Sequence, residues 1–408
     1  MNNPYESARR AVQWGFFFMG VPIGVLVPRL AEIKAGIDAS DSIYGTAIAM
    51  SGIGAILGNA IGARLVHRYG SKPIARIGIS LILAGNVANA LAPTAWWLAF
   101  VALCNGFSYS VQNVGINSQG ALVEQGLGRS FMPRAHAFWS IGTMSAAFAS
   151  SLLAPYISPL TALSLGAGIS LIGFYALTNG LLPTHLDDRP HNDASQLQQH
   201  ERIPRGVLKF LIVIAIGNSL ALLAEISAGD WSSVLLREDF GIAIGPNGYA
   251  FTAFMVMQML GRFFSPAVVD RYSLASVVRT TGLVGASGFV TFLFFAAQAS
   301  DTSSMRALVL SCIAYAFLGL GISVMAPAWV TATGSIPGLP SARAIALVGM
   351  MVALGSLIGR VTLANISGAI PLPITLGSMG IALAIAASLT HVLVPERAKR
   401  HAITKEPS

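Results

Sequence analysis

Twelve apolar runs follow one another along this chain, and each is long enough to cross a lipid bilayer as a helix. A spanning helix needs about 20 mostly apolar residues. Such runs fall at about 11–33, 44–66, 74–93, 96–122, 136–157, 160–182, 207–228, 246–269, 276–298, 305–333, 343–366 and 371–394. The seventh is expected to run on to about Leu236, interrupted at Gly229. Only 10% of the residues are charged and 54% are hydrophobic, whereas a soluble domain is about a quarter charged. This composition cannot cover a water-facing surface, so the surroundings are lipid. Backbone groups in lipid must be satisfied within the segment, which makes the spans helical. Cys104 and Cys312 lie inside apolar runs and read as buried free thiols. The first run follows a charged start and lacks a small-residue cleavage site, so it reads as a retained span.

One polar segment, "PTHLDDRPHNDASQLQQHERIPR", divides the series after the sixth run. It lacks apolar periodicity and reads as a solvated linker. The expected organisation is a six-helix bundle over 1–182, a cytoplasmic linker over 183–206, and a second bundle over 207–408 that ends in a short cytoplasmic tail. The basic residues set the orientation. With the N-terminus inside, 19 of the 25 Lys and Arg fall in cytoplasmic segments and four fall outside; Arg262 and Arg360 lie within spans. That bias places both termini in the cytoplasm. It also accounts for the net charge of +8 without nucleic acid as a partner.

The halves repeat. "ILGNAIGARLVHRYG" (56–70) and "MLGRFFSPAVVDRYS" (259–273) align at an offset of 203. Leu57, Gly58, Val66, Arg68 and Tyr69 match Leu260, Gly261, Val269, Arg271 and Tyr272, and Arg76 matches Arg279. Membrane transporters are commonly built from such repeats, with the solute site between them.

These features resemble the major facilitator superfamily over the full length of the chain. "RLVHRYGSK" is similar to the superfamily's loop between the second and third spans, with Leu65, Arg68, Gly70 and Lys72 in place. His67 stands where the family has Asp, and Ala63 where it has Gly; the Asp-Arg pair survives as Asp270 and Arg271. A narrower likeness is to the bacterial group near the fucose permeases. "PRLAEIK" (28–34), "NVGINSQGALVE" (113–124), "MPRAHAFWSIG" (132–142), "AEISAGDWSS" (224–233) and "GLGISVMAPAWVTATG" (319–334) carry it. Two residues depart from that group's pattern: Asn113 replaces an Asp, and Arg360 an apolar residue or Pro. The resemblance implies an all-α membrane protein of two pseudo-symmetric bundles, with spans one, four, seven and ten around a central cavity.

Charges inside the spans are the first functional candidates. Arg29 lies 18 residues into the first span, Glu225 lies 18 into the seventh and Arg360 lies 17 into the eleventh. At 1.5 Å per residue all three sit ~25–27 Å from the inner face, and Asp230 one turn further out. Glu225 is the expected proton-coupling group, tuned by Arg360. Arg29 and Asp230 are the expected outer gate, because the 203 offset puts Arg29 opposite Ser232. A static ion network is the alternative. The helix angle turns Glu225 and Asp230 apart unless Gly229 breaks the seventh span.

The fourth span carries Asn105, Ser108, Tyr109, Gln112, Asn113, Asn117 and Gln119. An i, i+4 stripe of such residues reads as a cavity lining or as interhelical glue. Asn105, Gln112, Asn113 and Asn117 are the expected solute contacts, with Tyr315 and Trp329 as counterparts on the tenth span. His67 and His136 read as interface hydrogen-bonders. Gly54, Gly58 and Gly62, and Gly355 and Gly359, form small faces for close helix packing.

The sequence contains no nucleotide loop, metal-ligand cluster or nucleophile triad, so neither enzyme, cofactor nor metal is expected. The expected function is secondary transport of a small polar organic solute across the bacterial inner membrane by a monomer, with alternating access and proton-coupled uptake. Drug or metabolite efflux is the alternative, and the fifth span lacks the Gly-Pro signature of many antiporters. A non-transporting sensor or scaffold is the alternative of another class.

Overall fold

The computed structural model describes residues 4–128, 131–186, 203, 205–334, 336 and 341–390. Most of the expected linker, the C-terminal tail and residues 391–394 of the expected twelfth span lie outside them. The described residues form helices and no strands. The first span is Pro4–Leu26, a 3-10 turn at Val27–Arg29, and Leu30–Gly36. The next five are Asp41–Tyr69, Ser71–Ala90, Ala95–Leu127, Met132–Leu153 and Pro159–Leu177. The seventh is Arg205–Val234, closed by a π-turn at Leu235–Asp239. The eighth and ninth are Tyr249–Arg271 and Leu274–Ser300. The tenth is broken into Ser304–Ile322 and Met325–Gly334, where one unbroken run was expected. Ser341–Ser367 and Leu372–Ser388 complete the set.

Nine of these segments are long and apolar enough to cross a membrane. The fourth and fifth spans and the seventeen-residue twelfth fall short of that mark; polar residues dilute the fourth. Helix starts are set locally. Ser40, Thr94, Ser158, Ser273 and Ser303 each accept the N–H three residues on, which satisfies a donor the helix cannot. Gly70 ends the second span at φ 91°, a conformation that needs no Cβ.

The packing repeats with a period of six spans. The second lies on the fourth, the first on the fifth and sixth, and the third on the fourth and sixth. The eighth lies on the tenth, the seventh on the eleventh and twelfth, and the ninth on the tenth and twelfth. The halves meet where the second span touches the eleventh and the fifth touches the eighth. Each of these cross-half pairs is the other shifted by six spans, which is the signature of a two-fold pseudo-symmetry.

Small residues set the closest approaches. A Cβ at Gly54 would run into the Leu103 carbonyl, and one at Gly106 into that of Ser51. Gly58 packs on Phe107 of the fourth span, and its repeat partner Gly261 packs on Ser323 of the tenth. Side-chain hydroxyls tie the first span to the fifth: Thr143 donates to the Gly20 carbonyl at 3.2 Å and Ser150 to that of Val25 at 2.9 Å.

Candidate functional site

The end of the bundle away from Pro4 and Ser388, here the distal end, holds a network of charges that crosses between the halves. Arg360 of the eleventh span donates to Asp230 of the seventh at 2.6 Å and to Ser51 of the second at 2.7 Å. Tyr44, fully buried on the second span, donates to the Asp230 carbonyl at 3.1 Å and stands edge-on to Trp231. Lys34 bridges Asp41 at 2.9 Å and Glu238 of the π-turn in the other half. Ser233 donates to the Val27 carbonyl at 2.8 Å, and Asn247 to that of Pro28 at 3.4 Å.

The expected Arg29–Asp230 pair is not formed. Arg29 is fully buried, donates to the Ile157 carbonyl at 2.6 Å and lies 3.1 Å from Glu32. All of these contacts stay within its own half. The 3-10 turn at Val27–Arg29 winds more tightly than an α-helix and so changes the angle at which Arg29 leaves the span, and sequence depth alone does not record that.

Deeper in the bundle lies a second cluster. Glu225 accepts from Gln258 Nε2 at 2.7 Å and lies 3.5 Å from Arg262. Its arginine is therefore Arg262, not the expected Arg360. Gln258 and Arg262 are four residues apart on the eighth span and so share a face. The first half supplies the opposite wall. Tyr109 stands beside Trp139 and within electrostatic reach of Glu225. His136 stands within reach of Arg262, its ring 4.8 Å from that of Phe16. Gly229 does not break the seventh helix, and the run-on past it is unbroken to Val234. Glu225 accordingly faces the eighth span while Asp230 faces the eleventh.

The polar stripe of the fourth span divides into two faces. Asn105, Gln112 and Gln119 recur every seven residues and pack on the third span. Asn105 meets Gly85 and Gln112 meets Gly78, while Gln119 donates to Ser71 at 2.7 Å. This corrects the expected solute contacts at Asn105 and Gln112. Tyr109, Asn113 and Asn117 lie on a different face; Asn117 donates to Asn113 Oδ1 at 2.8 Å. On the tenth span Tyr315 is turned away, buried edge-on against Phe289 of the ninth. Trp329 lies over Gly217 of the seventh, fully buried, and its indole N–H has no partner.

At the opposite end the loop motif repeats in detail. Arg68 lies over the Tyr69 ring at 5.2 Å and Arg271 over that of Tyr272 at 5.9 Å. Lys72 donates to the carbonyls of Asn179 and Leu181 at 3.0 and 3.1 Å. Asp270 is exposed and has no ion pair among the described residues. No group of His, Cys, Asp and Glu among those residues is placed to hold a metal ion.

No family model matches the chain. An uncharacterized MFS-type transporter of Yersinia pestis is 25% identical over 381 residues, covering 93% of this chain and 94% of that protein. Over nearly its whole length the chain is similar to transporters of the major facilitator type. An uncharacterized transporter of Sinorhizobium fredii is 23% identical over 396 residues, covering 94% of this chain and 97% of its own length. Neither relative is named for the fucose-permease group, so that narrower likeness stays a resemblance. Solved structures share the fold. A bacterial homolog of the human lysosomal transporter Spinster, in an inward-facing and occupied conformation, superposes with a TM-score of 0.71 at 12% identity, covering both chains fully. The D-xylose-proton symporter gives 0.70 at 14%, covering 94% of this chain and 97% of the symporter. The nucleoside transporter NupG gives 0.66 at 17%, with both chains fully covered.

The sequence flagged Glu225, Asp230 and Arg360 but missed Gln258, Tyr44 and Ser51. The one available signal was the Gln258–Arg262 spacing, two polar side chains one turn apart on an otherwise apolar helix.

Proposed function

We propose that this transporter carries a small polar organic solute across the cytoplasmic membrane by alternating access, coupled to proton uptake. One observation carries the reading: a carboxylate, an amide and a guanidinium of one half (Glu225, Gln258, Arg262) are brought together by the eighth span, which packs on the fifth span of the other half, the span of His136. An intramembrane charge is costly and marks an ion or solute path. Asn113 and Asn117 add hydrogen-bonding groups, and the Trp329 N–H a further donor. With both termini in the cytoplasm the distal end is external. The distal network of Lys34, Tyr44, Ser51, Asp230, Glu238 and Arg360 then closes the outer side, which supports an inward-facing state. The xylose symporter and the nucleoside transporter, which share the fold, are by name carriers of polar organic solutes.

The test is a ligand-stabilisation screen on the purified protein followed by counterflow in proteoliposomes. Exchange of a stabilising solute supports the reading. A chain that binds solutes but exchanges none of them is a sensor, and the reading fails. Right-side-out vesicles separate uptake from efflux.

A further inference from the structure

Three arginines, Arg29, Arg262 and Arg360, lie far from the loop motif, and they are not equally engaged. Arg360 makes two short hydrogen bonds, to Asp230 and Ser51. Arg29 makes one to a carbonyl and pairs with Glu32. Among the described residues Arg262 has a single charged partner, Glu225, at 3.5 Å, and its guanidinium makes no hydrogen bond. Glu225 is held more closely by Gln258, at 2.7 Å. The Arg262 side chain is 27% exposed, so a solute can reach its idle N–H groups. Its planar fork matches a carboxylate through two parallel hydrogen bonds.

A second observation points the same way. Gln258 is fully buried, one helical turn from Arg262, and its Oε1 has no donor among the described residues. Buried acceptors are nearly always satisfied in native proteins. So among the described residues one face of the eighth span presents a cation whose anion stands 3.5 Å off without a hydrogen bond, and an acceptor that lacks a donor.

We infer that the solute is a small organic acid bearing a hydroxyl or ammonium group, its carboxylate held by Arg262 and its donor received by Gln258 Oε1. This rests on the transport reading above and narrows its solute. A neutral sugar or nucleoside would leave the guanidinium fork without a hydrogen-bonded carboxylate. A fixed internal ion pair would have closed the 3.5 Å gap, as Asp230 and Arg360 do.

The experiment is thermal unfolding of the full-length detergent-purified protein with matched probes. The acids are L-lactate, D-glycerate, D-gluconate, L-serine and L-glutamate. The neutral set is lactamide, glycerol, D-glucose, D-xylose and adenosine. We expect at least one acid to raise the melting temperature and its neutral counterpart not to. The double variant E225Q/R262Q, which leaves no unpaired charge, should lose that response. R262K keeps the charge without the fork and should bind the acid at least tenfold more weakly. Stabilisation by none of the acids overturns the proposal, with or without a response to a neutral solute. So does an acid response at parental strength in E225Q/R262Q. Counterflow of neutral solutes alone overturns it and leaves transport standing. An acid that binds at Arg262 without counterflow overturns transport and leaves the site standing.

Discussion

Arg360 reaches Asp230 at 2.6 Å and, with its other terminal nitrogen, Ser51 of the opposite half at 2.7 Å. The charge pair is internal to the second half; the hydrogen bond to Ser51 is what crosses. Hydrogen bonds to charged groups contribute about 1.5–3 kcal/mol. Ser51→Ala should therefore shift the equilibrium toward the distal-open state by roughly tenfold, with the Arg360–Asp230 pair intact. A cysteine at Ser42, which lies beside Gly368 of the eleventh span, reports it. Labelling of Ser42→Cys should rise in Ser51→Ala and in Arg360→Gln. Unchanged labelling in both means the network is static.

Lys34 joins Asp41 in its own half to Glu238 in the other. Its side chain is 6% exposed, against 35% for Glu238, so solvent screens one partner and the bridge is worth ~1 kcal/mol or less. Lys34→Gln and Glu238→Gln should each raise distal labelling a few-fold. The double variant should add little to either. Fully additive effects would mean that Lys34 and Glu238 act separately.

Glu225 is the carboxylate at the meeting of the halves. Glu225→Gln keeps the shape and removes the titrating group. Accumulation driven by a pH gradient should vanish while counterflow persists, since exchange needs no net proton movement. Parental accumulation in this variant excludes Glu225 as the coupling residue.

The two faces of the fourth span predict opposite outcomes for adjacent residues. Gln112 is fully buried against the third span, with neither amide atom hydrogen-bonded. Replacing unpaired polar atoms by an apolar side chain removes a desolvation cost of ~1–3 kcal/mol. Gln112→Leu should raise the melting temperature and leave solute affinity alone. Asn113→Leu should weaken binding about tenfold, the cost of one unpaired solute group. The reverse pattern would return Gln112 to the solute site.

Glycine packing offers a control on the fold. Gly54→Ala drives a methyl into the Leu103 carbonyl and should cost about 1–3 kcal/mol or more, as overpacking does. Gly349 has no atom within 4 Å of a built Cβ, so Gly349→Ala should stay within ~1 kcal/mol of the parent. Equal melting temperatures for the two variants would contradict the packing of the second span on the fourth.

By itself the sequence determined the spans, the repeat and the place of each charge along its helix. Those properties are local: a run of about 20 apolar residues crosses a bilayer whatever its neighbours are, and that place follows from counting residues. It also carried the equivalence of Gly58 and Gly261, because the repeat survives in the residues that pack closest. Only the tertiary structure decided partners. Arg29, Arg262 and Arg360 were all legible as intramembrane charges, yet which one meets Glu225 depends on how each helix is rotated and which helix stands beside it. The same holds for the fourth span. Asn105, Gln112 and Asn113 look alike in a count of polar residues, and a rotation of 100° per residue sends Gln112 to the third span and Asn113 to a different face. Chain order does not encode that rotation. It is settled by the small residues Gly78, Gly85 and Gly115, which let the third and fourth spans close on one another.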